Sequence, residues 1–165
     1  MIFVTVGNYN GFPRLIGAVE RFKADGVIRD EVLLQVGGVN EFKSEVCRVA
    51  RFLAPDRFER ALREASVVIS HAGCGTLIQA LAAGKVPVVM PRRKHYGEHV
   101  DDHQIELAQM MAAERRVILA ERVEELPAAI EQARSRGTQA PANPRCRMFN
   151  LVSQAIEELL ADRKC

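Results

Sequence analysis

No stretch of the sequence approaches the roughly twenty consecutive apolar residues that a membrane helix needs, so membrane contact is expected only through a surface or a partner. The opening run Met1-Ile2-Phe3-Val4-Thr5-Val6 is apolar but lacks a basic flank and runs straight into Gly7, which predicts a first strand rather than a leader. Cysteine is scarce: Cys47, Cys74, Cys146 and Cys165 form no C-x-x-C pair, which excludes a zinc knuckle or a thioredoxin-like motif and fits free thiols in a reducing cytoplasm. Charge of one sign is lacking too. Lys and Arg number 23 against 21 Asp and Glu, a balance of +2 that argues against a general polyanion binder, and no nucleic-acid partner is expected. Seven prolines and 11 glycines are too few for a collagen-like or disordered chain, and no internal repeat or low-complexity tract occurs. A length of 165 residues predicts one domain, with no room for a second.

What is present is apolar mass in a particular rhythm. With 48% hydrophobic and 27% charged residues, short β-branched runs alternate with longer segments of helical period, the pattern of a parallel sheet covered by crossover helices. Strands are predicted at 1–6, 31–36, 46–52, 66–70, 86–90 and 116–120. Phe12, Leu15, Ile16, Val19 and Phe22 share one helical face, and Phe58, Ala61, Leu62 and Ala65 share another. Further helices are expected at 76–83, 99–113 and 123–136, the last with a start blurred by Pro127. Residues 137–145 break the pattern with one glycine and two prolines and read as a linker between an α/β domain at 1–136 and a terminal amphipathic helix at 146–165. In that helix Met148, Leu151, Val152, Ala155, Ile156, Leu159 and Leu160 form an apolar stripe.

The chemistry is expected where 66–70 runs into His71-Ala72-Gly73-Cys74-Gly75-Thr76, a strand, a glycine-rich turn and a helix start in succession. Glycines let backbone approach a ligand closely, and the N–H groups and dipole of a helix N-terminus favour a phosphate. Thr76 would cap the helix or bond that phosphate. The bland alternative is a tight turn beside a packed histidine.

The run Ser70-His71-Ala72-Gly73, then Gly75-Thr76, Gly84-Lys85-x-Pro87, Pro91-Arg92 and Glu98-His99-Val100-Asp101-Asp102-His103-Gln104, resembles the C-terminal domain of family 28 glycosyltransferases. Within that group it is most similar to the small subunits of split transferases of dolichol-linked chitobiose synthesis and of bacterial exopolysaccharide synthesis. The likeness covers nearly the whole chain, including Phe3-Val4-Thr5-Val6-Gly7. It implies a single Rossmann-like α/β domain with a six-stranded parallel sheet, equivalent to the C-terminal half of a GT-B enzyme, with a UDP-sugar held at the carboxyl edge. Carried over by residue, His71, Gly73, Gly75 and Thr76 match the loop that receives the diphosphate. Asp102, His103 and Gln104 match the stretch facing the donor sugar, and Gly7 lines the cleft. Two departures stand out. Gln79 occupies the place where related transferases commonly carry a glutamate for the ribose hydroxyls, and Asn8-Tyr9-Asn10-Gly11 replaces a loop that usually begins with threonine.

His95, His99 and His103 recur every four residues and on a helix would stack three imidazoles, a tempting metal site. The alternatives are a solvated helix start or contacts to the donor sugar. GT-B enzymes work without a bound metal, so no metal or other cofactor is expected. Arg92, Arg93 and Lys94 would neutralise a diphosphate, meet anionic lipid or be merely solvated. The resemblance implies inverting transfer to a lipid-linked acceptor, with the general base and acceptor site on a membrane-anchored partner subunit that recruits this chain to the cytoplasmic face. A self-dimer is the other way to bury the terminal stripe, and a non-catalytic nucleotide-sugar-binding subunit is the rival reading.

Overall fold

The computed structural model describes residues 1–8, 11–39 and 41–137. The proposed terminal helix and all of the linker but Gly137 lie outside the described residues. Six strands appear where β-branched runs predicted them: β1 (Ile2–Thr5), β2 (Val32–Gln35), β3 (Arg48–Ala50), β4 (Val67–Ser70), β5 (Val88–Val89) and β6 (Ile118–Leu119). They form one fully parallel sheet in the order β3-β2-β1-β4-β5-β6.

Every residue of β1 and β4 is buried, because helices cover both faces of the sheet. Side chains alternate between those faces. Ile2, Val4, Val67, Ile69 and Val88 join a core with Leu15, Ile16, Val19 and Ile130. Phe3 and Val68 face the other way, toward Ala61, Leu62 and Ala80. Helices α1 (Pro13–Ala24) and α5 (Leu126–Arg136) supply the first face, and α2 (Pro55–Glu64) and α3 (Cys74–Ala82) the second. Phe58 sets α2 edge-on against Phe3, ring centroids 5.4 Å apart. Three of these helices start with proline in the first turn, where its missing N–H costs nothing and its φ is already helical.

Three helix starts differ from expectation. α3 begins at Cys74, two residues early, because Gly73 takes the N-cap position and its carbonyl accepts the Leu77 N–H. α4 (His103–Ala113) begins four residues late. Gly97, at φ +68°, ends a 3-10 turn at Lys94–Tyr96, and the chain stays irregular until Asp102. The predicted 123–136 helix divides just ahead of its proline into a 3-10 turn, Val123–Glu125, and α5, whose first turn holds Pro127. Reversal of strand order between β1 and β4 opens a crevice at their carboxyl ends, where open α/β sheets take their ligands.

Candidate functional site

Three loops leave the sheet edge at that crevice and enclose a cavity of about 410 Å³. One end is walled by Gly7, His71, Gly73, Cys74, Gly75, Thr76 and Gln79; the other by Phe52, Leu53, Pro55 and Phe58, with Gln35 between. The cavity is therefore polar and glycine-walled at one end, apolar and aromatic at the other.

His71 organises the first end. A Cβ added at Gly7 would stand 2.6 Å from its ring Cε1, and one at Gly73 would fall on its Nε2. Both glycines are thus needed to seat the imidazole, and Gly7 also takes φ +73°, which disfavours any side chain. The ring bonds the backbone at Thr5. Burial, then the nearby Arg92 charge, pushes its pKa down to about 4, so the ring is neutral at physiological pH. Gly75 is different. Among the described residues nothing lies within 4 Å of its added Cβ, so none of them requires glycine there.

α3 points its N-terminus into the same end. Cys74, Gly75 and Thr76 are its first turn, whose N–H groups have no helical partner. Thr76 sits inside this turn and no side chain caps the helix, which corrects the expectation of a Thr76 cap.

Six of the ten residues expected to hold the donor line this cavity: Gly7, His71, Gly73, Gly75, Thr76 and Gln79. Arg92, Asp102, His103 and Gln104 do not. Arg92 is 0% exposed and is no surface cation; its guanidinium donates to the carbonyls of Val6 (2.9 Å), Gly11 (2.9 Å) and Glu98 (3.3 Å) and lies over the Phe12 ring. It ties the loop after β1 to the loop after β5, because those carbonyls have left the ladder and need donors. Gln104 Oε1 accepts the Arg92 N–H at 3.2 Å, and Asp102 Oδ1 accepts the Lys94 N–H at 2.9 Å, so both brace the same loop. Arg93 reaches Glu121 beside a second cavity shared with Arg14 and Tyr96, and Lys94 is exposed.

The histidine stack does not form, since α4 starts only at His103. Instead Asp101 bridges two of the rings, Oδ1 to His99 Nδ1 at 3.0 Å and Oδ2 to His103 Nδ1 at 2.9 Å. The carboxylate raises the pKa of His103 and is itself held lower by that hydrogen bond. Among the described residues no group of three His, Cys, Asp or Glu is placed to hold a metal ion. Cys47 and Cys74 are free thiols, the first buried and raised in pKa by that burial; the other two cysteines lie outside the described residues. Among the described residues no helix is long and apolar enough to cross a membrane.

Sequence reasoning missed Gln35, and it placed Thr5 and Glu98 in motifs without giving either a role. The Glu98 carboxylate receives Arg14 at 2.8 Å through each oxygen and the Arg93 N–H at 2.9 Å. A glutamine closing the apolar run Val32–Gln35 was a readable signal of a polar strand end at the ligand edge.

The family profile of the glycosyltransferase family 28 C-terminal domain matches residues 1–159. The chain belongs to this family. It is 30% identical over 121 residues to the human "UDP-N-acetylglucosamine transferase subunit ALG13", a match covering 68% of this chain and 10% of the relative. The subunit of the same description from Yarrowia lipolytica is 35% identical over 78 residues, covering 47% of this chain and 38% of its own. Solved glycosyltransferases share the fold: the kitacinnamycin enzyme has a TM-score of 0.62 at 16% identity, over 93% of this chain and 42% of its own. The calicheamicin enzyme CalG4 has a TM-score of 0.55 at 20% identity, over 97% and 41%. The chain thus spans well under half of these relatives and neighbours. The expected fold, an α/β domain equivalent to one half of a GT-B transferase, is the fold observed.

Proposed function

We propose that the chain is the donor-binding part of a UDP-sugar glycosyltransferase, acting with a membrane-associated partner to pass a sugar to a lipid-linked acceptor in polysaccharide or glycolipid synthesis. The observation that carries this reading is the glycine-walled turn at the N-terminus of α3, set at the strand-order reversal and holding a neutral His71. Unpartnered N–H groups there suit a diphosphate, and they strengthen their hold as negative charge grows on the departing UDP. The buried Arg92 charge close behind His71 adds to the same positive potential. With phosphates at that end, the nucleoside falls to the apolar end beside Phe52 and Phe58. Asp102, His103 and Gln104 lie on the α4 start and reach the donor sugar only if it extends past the cavity lining.

Transfer is proposed to invert the anomeric carbon, the acceptor hydroxyl attacking as UDP leaves, with the general base and acceptor site on the partner. The apolar stripe of the 146–165 sequence is the segment proposed to dock there, which keeps this chain at the cytoplasmic face. No metal is needed in this scheme, so transfer by the assembled enzyme should persist in a chelator, and loss restored by a divalent ion would overturn it. Calorimetry with a panel of UDP-sugars, with and without the partner, tests the donor site. Equal UDP binding by wild type and a folded Gly73→Val variant would refute the assignment.

Gln79 favours a second reading, a nucleotide-sugar-binding subunit without catalytic competence, because an uncharged side chain lines the cavity where relatives commonly carry glutamate. Donor binding without transfer in the reconstituted complex would select it.

A further inference from the structure

A buried glutamine joins the two ends of the cavity. Gln35 closes β2 and is only 3% exposed, so its amide must be bonded on both sides or cost free energy. Nε2 donates to Thr5 Oγ1 at 3.1 Å, and Oε1 accepts the Leu53 N–H at 3.0 Å. Thr5 Oγ1 also receives the Gly7 N–H at 3.4 Å, and the Thr5 backbone bonds the His71 ring. The bonds therefore run from Leu53 through Gln35 to Thr5 and fork there to Gly7 and His71, under the cavity from its apolar end to its glycine end. Strand pairing brings Gln35 between Thr5 and Ala50, and backbone bonds carry the ladder on to Val6 and Arg51, but the Leu53 N–H lies beyond them and is met by the Gln35 side chain.

We propose that Gln35 is a positioning residue for the donor pocket, setting the spacing between the Leu53 backbone at the nucleoside end and the Gly7–His71 turn at the phosphate end. Gln35 lines the cavity between the ends and holds them through Leu53 and Thr5, so its loss should weaken a ligand that spans both ends more than one that occupies the phosphate end alone. This ligand behaviour rests on the UDP reading above; the spacing itself belongs to the free chain.

The test uses the full chain with Gln35→Met, which keeps volume and removes both bonds, and Gln35→Glu, which keeps an acceptor for Leu53. Amide hydrogen exchange without ligand reads the spacing directly. Leu53 should lose protection in Gln35→Met and keep it in Gln35→Glu, while amides in the middle of β1 and β4 stay unchanged. Calorimetry then compares UDP with inorganic pyrophosphate. Gln35→Met should weaken UDP about tenfold and pyrophosphate less than about twofold, with Gln35→Glu recovering most of the UDP loss. A parallel fall for both ligands would reduce Gln35 to a structural residue and overturn the proposal, as would unchanged Leu53 protection in Gln35→Met. If the wild-type chain binds neither UDP nor pyrophosphate, the UDP reading fails, and the exchange result alone decides the claim about spacing.

Discussion

A methyl group at residue 73 has no place to go while His71 keeps its seat. The Cβ would fall on Nε2, with Cε1 at 2.9 Å and Cδ2 at 3.0 Å, inside the distances that real side chains tolerate. Residue 73 itself has φ −82° and ψ 123°, which any residue adopts, so the whole cost of Gly73→Ala is steric. The ring is held in place by its hydrogen bond to Thr5, and Gly7 also lies against its Nε2–Cε1 edge. Overpacking of this kind costs about 1–3 kcal/mol, and each kcal/mol lowers Tm by about 2–4 °C in a chain of this size. Gly7→Ala combines the same clash with a left-handed φ, adding about 1–2 kcal/mol of backbone strain. The two causes separate in a double-mutant cycle with His71→Ala, read by thermal melts. Removing the ring should make Gly73→Ala nearly neutral, a coupling of about 1–3 kcal/mol, while Gly7→Ala keeps about 1–2 kcal/mol of its cost. A Gly73→Ala penalty that is the same with and without the ring, or no penalty in wild type, would refute the packing argument.

Gly75 should behave in the opposite sense. Since no described residue lies near its added Cβ, Gly75→Ala should gain up to about 1 kcal/mol of helix propensity and raise Tm, yet weaken UDP binding in calorimetry if the ligand packs against that backbone; unchanged affinity would place the diphosphate elsewhere. Stability should also depend on the charge state of His71. The unfolded chain takes up its proton near pH 6.5 and the folded one near 4, so stability is full above 6.5 and is lost as pH falls toward 4, by at most about 3 kcal/mol. His71→Gln removes that share, and melts from pH 7 to 4 should fall less steeply than wild type; equal slopes would mean that the ring is solvated. Finally, Gln79→Glu should tighten UDP about fivefold, because a carboxylate makes the stronger hydrogen bond to a ribose hydroxyl. No change, or weakening, would put the ribose out of reach of residue 79.

Much of this protein is legible in its sequence. The six strands could be read because a parallel sheet covered on both faces demands continuous β-branched runs, and such runs are local in the sequence. The glycine turn after β4 was legible for a similar reason, since a strand, two glycines and a helix start fall within a few consecutive residues. What the sequence could not reveal depends on partners distant along the chain. Arg92 looked like one of three surface cations, yet its guanidinium meets Val6 and Gly11, more than eighty residues earlier, and is buried by them. Gln35 fell inside the strand predicted at 31–36, and only the sheet order brings Thr5 and Leu53 to its two amide atoms. The three histidines kept a helical spacing that Gly97 interrupts, so their arrangement is set by an Asp101 bridge that no periodicity encodes. Local rhythm determined which segments became strands, helices and turns, because backbone propensity and burial pattern act over neighbouring residues. The tertiary structure alone decided which polar side chains line the cavity and which hold the loops around it, because a buried hydrogen bond forms with whatever the fold brings within about 3 Å.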